Sequence, residues 1–264
     1  MSKRRISLLI AIACMVMGAC KKIVAPVTAP DSELAFFNVS QYLIGETPQI
    51  AGKCYVLLDS PAAAYPTFSF GDEQSTDNVI NTAQPWVLYM HVYPGAHSLA
   101  LTDTGAHHEL VRQEITTSAQ YPTTVFYADS LGVFSSWVTK DTLISLPGRV
   151  RIRLLDLSPD AGSLFFTVNS RTPPQGAPSV LQYGSVTSFV DYPNITADTT
   201  LLLSFYNPGD TTDLITAAQF QASPGHSYTV LINGYENAQY LTDPFTGGSS
   251  SYPPDLKASV YQNN

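Results

Sequence analysis

The stretch GRVRIRLLDLSPDAG, residues 148–162, carries three arginines at every second position. Side chains of a β-strand alternate between its two faces, so the arginines share one face and the aliphatic residues share the other. The two sets are Arg149, Arg151 and Arg153 against Val150, Ile152 and Leu154. The pattern predicts a strand whose aliphatic face meets a core, while its arginines pair with carboxylates on a solvated sheet face. The alternative is that the basic face binds an acidic ligand.

The end of this stretch breaks the alternation. Leu154 and Leu155 are adjacent, so both faces are apolar there, which predicts a β-bulge or a bend in the strand. The following Ser158-Pro159-Asp160 predicts a turn, because proline cannot donate to a sheet ladder and aspartate favours turns.

The first nineteen residues are typical of a processing signal. Residues 3–5 are basic, and they precede an apolar run, Ile6–Met17, that is too short to span a bilayer. Met17-Gly18-Ala19-Cys20 then resembles a bacterial lipobox, in which the cysteine is acylated and becomes the mature N-terminus. The resemblance predicts a signal peptide at 1–19, a lipid anchor on Cys20 and an extended tether over 20–31.

The lipobox also predicts a compartment. Acyl chains on Cys20 would hold the protein to a membrane, and Lys21 at the second mature position disfavours retention in the inner membrane. We therefore expect a lipid-anchored protein of the outer membrane. Whether it lies on the periplasmic face or on the cell surface stays open.

The chain beyond the tether has the pattern of an all-β protein. Short runs rich in Val, Leu, Phe, Tyr and Thr alternate with turn signals, and no stretch of ten or more residues has apolar spacing at the helical period. The length exceeds one immunoglobulin-size sandwich of about 100 residues. The sequence predicts two tandem antiparallel β-sandwich domains, immunoglobulin-like or transthyretin-like, at 32–139 and 144–264.

An internal repeat supports this division. Four segments recur in the same order in both parts of the chain: Phe37-Asn38-Val39-Ser40 with Leu155-Asp156-Leu157-Ser158, Phe70-Gly71 with Tyr183-Gly184, Tyr93-Pro94 with Tyr192-Pro193, and Thr124-Val125 with Thr229-Val230.

The second predicted domain also carries a set of family motifs. They are Arg149-Val150-Arg151 through Ser158-Pro159-Asp160-Ala161, Phe166-Thr167-Val168-Asn169, Tyr183-Gly184-Ser185-Val186-Thr187 and the run from Pro224 to Leu231. This part resembles the domain-of-unknown-function family 4397, and the first predicted domain is similar to it more weakly, through Tyr93-Pro94-Gly95 and the Tyr121–Phe126 strand. The resemblance implies a secreted or lipid-anchored tandem-domain protein of Bacteroidota type, and it transfers no catalytic or ligand residue.

Charge and cysteine content exclude several functions. Loss of residues 1–19 removes three of thirteen basic residues and none of twenty-one acidic ones, so the mature net charge is 10 − 21 = −11. A strongly acidic chain repels phosphate backbones, so we expect no nucleic-acid partner. Cys14 leaves with the signal and Cys20 is acylated, so Cys54 has no internal disulfide partner.

A histidine-rich segment suggests one alternative function, a metal-dependent hydrolase using His97, His107, His108 and Glu109. Two observations weaken it. Adjacent His107 and His108 point to opposite faces of a strand, and the sequence has no nucleophile elbow, zinc-binding helix motif or phosphate loop. We therefore predict no enzyme, no catalytic residue, no metal site and no cofactor.

The segment YENAQYLTDPFTGGSSSYPP, residues 235–254, is the predicted recognition loop. It has no periodicity and carries four aromatic residues, Tyr235, Tyr240, Phe245 and Tyr252. Long loops in compact domains are often functional, and exposed aromatic rings stack on sugars or peptides. The sequence thus predicts a non-catalytic cell-envelope lipoprotein that binds a glycan, a peptide or a partner protein, or that serves as a structural module.

Overall fold

Strands make up most of the described chain in the computed structural model, which confirms the all-β prediction. The structure describes residues 31–42, 54–59, 68–70, 87–102, 108–210, 212–242 and 247–264. The predicted signal peptide, Cys20 and nearly all of the tether lie outside these residues. Within them, no helix has the length and apolar character that a bilayer crossing requires.

In the first half of the molecule, residues 31–140, the described residues form eight strands in two sheets. They are β1 (Ser32–Asn38), β2 (Cys54–Leu58), β3 (Phe68–Phe70), β4 (Met90–Val92), β5 (Gly95–Thr102), β6 (Glu109–Thr117), β7 (Thr123–Ser130) and β8 (Val133–Lys140). We call the sheet with order β4-β1-β7-β8 inner sheet 1 and the sheet with order β3-β2-β5-β6 outer sheet 1.

In the second half, residues 149–264, ten strands lie within the part of the chain that is described. They are β9 (Arg149–Asp156), β10 (Phe165–Val168), β11 (Ser185–Val186), β12 (Val190–Pro193), β13 (Thr199–Tyr206), β14 (Leu214–Ala222), β15 (Ser227–Asn233), β16 (Gln239–Thr242), β17 (Ser249–Tyr252) and β18 (Lys257–Gln262). Inner sheet 2 has order β11-β9-β15-β18, with β12 also on β9, and outer sheet 2 has order β10-β13-β14. The remaining strands, β16 and β17, pair as a hairpin.

The two halves have matching strand pairings. In each inner sheet the first strand of the half pairs antiparallel with a short strand, β4 or β12, and parallel with a long one, β7 or β15. Both outer sheets shift register at the same place, at Leu101/Thr102 and at Phe205/Tyr206. Residues 31–264 nevertheless form one compact unit, so a domain boundary between 139 and 144 stays a prediction.

The parallel pairs β1–β7 and β9–β15 differ from the antiparallel pairing predicted. Hairpins make neighbouring strands antiparallel, but a parallel pair needs a long crossover. Each half supplies that crossover with the strands of its outer sheet. The first strand of each half can therefore lie at the centre of the inner sheet beside a much later strand.

The four sheets stack in layers with three apolar cores. Leu34 and Tyr127 of inner sheet 1 pack against Leu99 and Leu101 of outer sheet 1, and an equivalent core lies between the sheets of the second half. The third core joins the inner sheets face to face, since Phe37, Phe126, Leu155, Leu231 and Tyr261 form one cluster. Inner sheet 2 thus lies under protein on both faces.

This burial corrects two predictions about residues 148–162. The alternation predicts a solvated arginine face, but only its start is solvated: the Arg149 side chain is 50% exposed, that of Arg151 is 12% exposed, and Arg153 is 1% exposed beneath inner sheet 1. The Leu154–Leu155 step predicts a bulge, but β9 pairs with β15 in unbroken register from Arg151 to Asp156. Leu155 is apolar because it belongs to the core between the inner sheets.

Candidate ligand-binding cleft

The predicted recognition loop, residues 235–254, is largely the β16–β17 hairpin. Tyr235 and Tyr252 are buried in the core of the first half, where the Tyr235 hydroxyl donates to Asp129 Oδ2 at 3.1 Å. Tyr240 is 81% exposed, and Phe245 lies outside the described residues. Two of the four predicted ligand contacts are therefore packing residues here, and Tyr240 presents its ring to solvent.

The Ser-Pro-Asp-Ala motif holds the start of this hairpin. Ser158 Oγ donates to the carbonyl of Gly234 at 2.7 Å, and Asp160 accepts from the backbone amides of Glu236 and Asn237 at 2.8 and 3.0 Å. At Gly234, φ is +96°, and an added Cβ would lie 2.5 Å from the carbonyl oxygen of Asp255. The motif is therefore explained by structural contacts.

The histidine-rich segment does not assemble the alternative hydrolase site in the part of the chain described. His97 Nδ1 lies 2.7 Å from Asp59 Oδ2, and its Nε2 lies 2.7 Å from the carbonyl oxygen of Tyr93. Glu109 pairs with Arg112 at 2.6 Å. His107 lies outside the described residues, and the described ones contain no group of three metal-ligating side chains.

The partners of His97 decide its protonation. Burial alone lowers the pKa of His97, but the hydrogen bonds to Asp59 and to the Tyr93 carbonyl outweigh it and raise the pKa overall. Burial likewise raises the pKa of Asp59, and its bonds to His97 and Ser98 outweigh that and lower it. Both ring nitrogens of His97 face acceptors, as in an imidazolium that donates from both. This arrangement leaves no lone pair for a metal.

The three arginines of β9 divide between two environments. Arg149 Nη1 and Arg151 Nε each lie 3.1 Å from Asp191 on the neighbouring β12, as the cross-strand pattern predicts. Arg153 instead pairs with the buried Asp141 and donates to Thr139 at 2.6 Å and Thr229 at 2.9 Å. Its guanidinium carbon lies 4.7 Å from the centre of the Phe189 ring. Arg153 joins the two halves through Asp141, Thr139 and the ring of Phe126, whose centre lies 5.5 Å from the guanidinium carbon, whereas Phe189 belongs to its own half.

Asp141 is the centre of this buried network. It is 0% exposed and accepts hydrogen bonds from Tyr89, Thr124 and Thr139 at 2.5, 2.5 and 3.0 Å, besides its pair with Arg153. Burial and the charge of Asp141 raise the pKa of Tyr89, so its hydroxyl stays protonated and donates. The ion pair and its hydrogen bonds connect the two inner sheets within the core between them.

An open cleft of about 250 Å³ lies beside this network. Its nine described lining residues come from β8, the connection after it, β9 and the β11–β12 loop: Val138, Thr139, Lys140, Thr142, Arg153, Val186, Thr187, Ser188 and Phe189. Four hydroxyl side chains and two cations thus surround an apolar wall, and none of the nine is a carboxylate. In a chain of net negative charge, this lining favours a polar ligand that carries negative charge.

The edge of inner sheet 2 has a place equivalent to the cleft, which we call the closed seam because a neighbouring segment covers it. Lys140 pairs with Thr123 at the edge of inner sheet 1, as Gln262 pairs with Tyr228 at the edge of inner sheet 2. The Gln262 carbonyl accepts from Val87 N at 2.8 Å, so a neighbouring segment covers that edge.

At the cleft, no residue of the described ranges makes the corresponding bond to Lys140. Thr187 N donates to Leu154 O at 3.0 Å, within its own sheet. The loop around Thr187 is therefore drawn away from Lys140, which leaves the cleft open.

Comparison with known proteins gives one family match. A model described as "Domain of unknown function (DUF4397)" matches residues 63–167, so this segment is similar to that family. This segment extends from the first half into β10, whereas the motifs placed the clearer resemblance within 144–264. No curated protein matches the chain.

Two solved structures are also similar. One is described as alpha-glucan recognition by family 41 carbohydrate-binding modules from streptococcal virulence factors; it is 13% identical and covers 88% of this chain and 97% of its own, with a TM-score of 0.27. The other, described as alpha-glucan binding by a streptococcal virulence factor, is 11% identical and covers 85% and 97%, also with a TM-score of 0.27. A TM-score this low does not establish a common fold, so no ligand is transferred.

Sequence reasoning misses the cleft because it places a domain boundary between 139 and 144, and the residues that line the cleft come from both sides of that boundary. The signal that was available is the apolar continuation of the arginine face through Leu155 and Leu157. A strand face that ends in two leucines is covered at that end, and its nearest arginine is then covered too. Nothing in the sequence indicates that Thr187 and Phe189 lie opposite Lys140.

Proposed function

We propose that this protein is a non-catalytic binding module of the cell envelope, anchored to the outer membrane through acylated Cys20. Its two halves are two copies of one sandwich module, and the ligand occupies the cleft between β8 and the β11–β12 loop. A glycan, a peptide and a segment of a partner protein are the candidate ligand classes.

The open cleft carries the proposal. It is bordered by a fixed network, in which the Arg153–Asp141 pair, Thr139 and Thr229 connect the two inner sheets. Such preorganisation lowers the entropic cost of binding, and an apolar wall with a few convergent polar groups is typical of ligand sites. A cleft below the usual range of about 300–1,000 Å³ suits one sugar residue or a short peptide segment.

We propose that the protein is not a catalyst because the candidate catalytic side chains are already engaged in other contacts. His97 is bound at both nitrogens, and Glu109 faces Arg112, so neither is placed to activate water. The envelope location is proposed on the lipobox Met17-Gly18-Ala19-Cys20.

The binding part is tested with full-length protein in detergent. Glycan and peptide arrays are probed with wild type, with Ser188→Trp, which fills the cleft from an exposed position, and with Tyr240→Ala as the control outside it. Loss of binding in Ser188→Trp alone is expected. Loss in Tyr240→Ala alone would move the site to the hairpin, and absence of any ligand would remove the binding function.

The location is tested separately. Cys20→Ala is expected to release the protein from the membrane fraction or to block its maturation. Unchanged fractionation, with detergent still required for extraction, would contradict the anchor.

A further inference from the structure

Resting on the proposed function, we infer that the ligand of the cleft is an extended acidic peptide segment that pairs with the free edge of β8 at Val138 and Lys140. The cleft residues and the closed seam together favour this class of partner.

The backbone N–H and C=O groups of Lys140 and Val138 in β8 point away from the neighbouring strand β7. Asp141 N donates to the Pro122 carbonyl at 2.7 Å, which places Thr123 and Lys140 in a non-hydrogen-bonded pair. In such a pair, the N–H and C=O of both residues point away from the partner strand. Val138, two residues earlier and opposite Val125, has the same orientation.

These groups lie at an edge that the described residues leave uncovered. β8 is the last strand of inner sheet 1, and Val138 and Lys140 are exposed and line the cleft. Their outward amides and carbonyls have no hydrogen-bond partner in the described part of the chain. An exposed edge of this kind is a template for an added strand.

At the closed seam, the molecule covers the equivalent edge with its own chain. Asn263 N donates to the Ser227 carbonyl at 2.8 Å, so Gln262 has the same outward orientation as Lys140. Val87 and Tyr89 lie at this edge, since Val87 N donates to Gln262 O at 2.8 Å and Asn263 Nδ2 donates to the Tyr89 hydroxyl at 3.0 Å. An extended peptide is therefore the occupant that the same geometry accepts at β8.

The charge of the side chains at the cleft favours an acidic peptide. The lining of the cleft has two cations, Lys140 and Arg153, and the carboxylate of Asp141 neutralises Arg153, so the excess positive charge is that of Lys140. Lys140 makes no ion pair with any described residue. A peptide with acidic side chains is complementary to this excess, and the net negative surface of the remaining chain disfavours its binding elsewhere.

The experiment uses full-length protein in detergent and a phage-displayed library of random peptides. We expect enriched peptides to be rich in Asp and Glu and to bind Lys140→Pro and Val138→Pro about five to ten times more weakly, because each proline removes one outward N–H. Lys140→Ala, which keeps that N–H, should weaken binding mainly at low salt. Gln262→Ala is the matched control at the closed edge and should leave affinity unchanged.

A second measurement does not depend on the proline variants folding. Amide hydrogen exchange of wild type, with and without an enriched peptide, should show the Val138 and Lys140 amides protected only in the complex. Protection elsewhere with none at these two amides would overturn the inference.

The remaining outcomes separate the inference from the proposed function. A glycan that Ser188→Trp abolishes and that both proline variants bind normally would overturn the peptide and leave the function standing. Dimerisation of the chain through β8, with no peptide enriched, would also overturn it. Absence of any ligand effect at the cleft would overturn both.

Discussion

Ala35 in β1 and Arg153 in β9 occupy the same place in the two inner sheets, since Ala35 pairs with Thr124 as Arg153 pairs with Thr229. Both face the core between the sheets, yet one is a methyl group and the other a buried cation. Asp141, which neutralises Arg153, likewise corresponds to Asn263, because each follows the edge strand of its sheet. Equivalent positions in the same strand pattern can therefore hold either a buried ion pair or neutral groups, provided that hydrogen bonds and the opposite charge stabilise the buried ions.

Removal of Arg153 should change the free energy of unfolding more than any other substitution at these equivalent positions. Arg153→Ala leaves Asp141 buried without its cation, which should lower the free energy of unfolding by about 3–5 kcal/mol. The double variant Arg153→Ala/Asp141→Asn introduces the neutral residues found at the equivalent positions, Ala35 and Asn263, and should recover much of that loss. Urea denaturation at pH 7 measures both, and a single variant within about 1 kcal/mol of wild type would contradict the burial of this pair.

Ser40 and Ser158 form the second equivalent pair, since each follows its strand and donates its backbone N–H to Asn38 or Asp156 at 3.1 Å. Ser40 Oγ donates to the carboxylate of Asp129 at 2.5 Å, whereas Ser158 Oγ donates to a neutral carbonyl. Ser40→Ala should therefore cost about 1.5–3 kcal/mol and Ser158→Ala about 1 kcal/mol in urea denaturation. Equal losses would show that the charge of Asp129 adds nothing.

The third equivalent pair is Asn38 and Asp156, and it predicts a pH dependence. Burial raises the pKa of Asp156 to about 7, only partly offset by the bond from Ser158 N. A raised pKa means that wild-type stability is full below the ordinary carboxyl pKa and falls as pH rises through 7. Asp156→Asn, which introduces the residue of the first half, should gain about 1–3 kcal/mol at pH 8 and nothing at pH 4. A gain that is independent of pH would contradict the shifted carboxyl.

The smallest effect is expected at His97, whose place in β13 is taken by the buried Leu201. The raised pKa of His97 means that its contribution is present below the ordinary histidine pKa and is lost as pH rises through the folded value. The lowered pKa of Asp59 means that its contribution is lost as pH falls through the folded value. The ion pair thus stabilises between these two limits.

His97→Leu should remove this pH dependence and change stability by less than about 1 kcal/mol, because Asp59 is half-exposed and screened by solvent. Thermal unfolding of wild type and variant from pH 5 to 9 measures it. Parallel curves over that range would contradict the ion pair.

The internal repeat of the sequence identifies two of these equivalent pairs correctly. The alignment of residues 37–40 with 155–158 and of Thr124 with Thr229 agrees with the strand pairings. The alignment of Tyr93 with Tyr192 is one residue out, because Val92 pairs with Ser32 as Tyr192 pairs with Val150. Register on a short edge strand has few side chains to define it, so sequence alone does not resolve it.

In the predicted recognition loop, residues 235–254, the sequence pattern does not predict which aromatic side chains are buried. Four aromatic residues in a segment rich in Gly, Ser and Pro predict an exposed surface, but Tyr235 and Tyr252 fill a core to which the other half of the chain contributes. An aromatic ring is equally suited to a core and to a ligand, and composition cannot distinguish them. The Asp129 carboxylate that anchors Tyr235 lies 106 residues away in the chain.

The sequence by itself determined the all-β class and the alternation within β9, because side-chain orientation in a strand follows from local backbone geometry. It also supplied the resemblance to a lipobox, which is a local motif. The tertiary structure alone decided that the arginine face of β9 is covered, that Arg153 meets Asp141, and that the edge of β8 borders an open cleft. These features depend on contacts between strands far apart in the chain, and no local pattern encodes which sheet covers a given face.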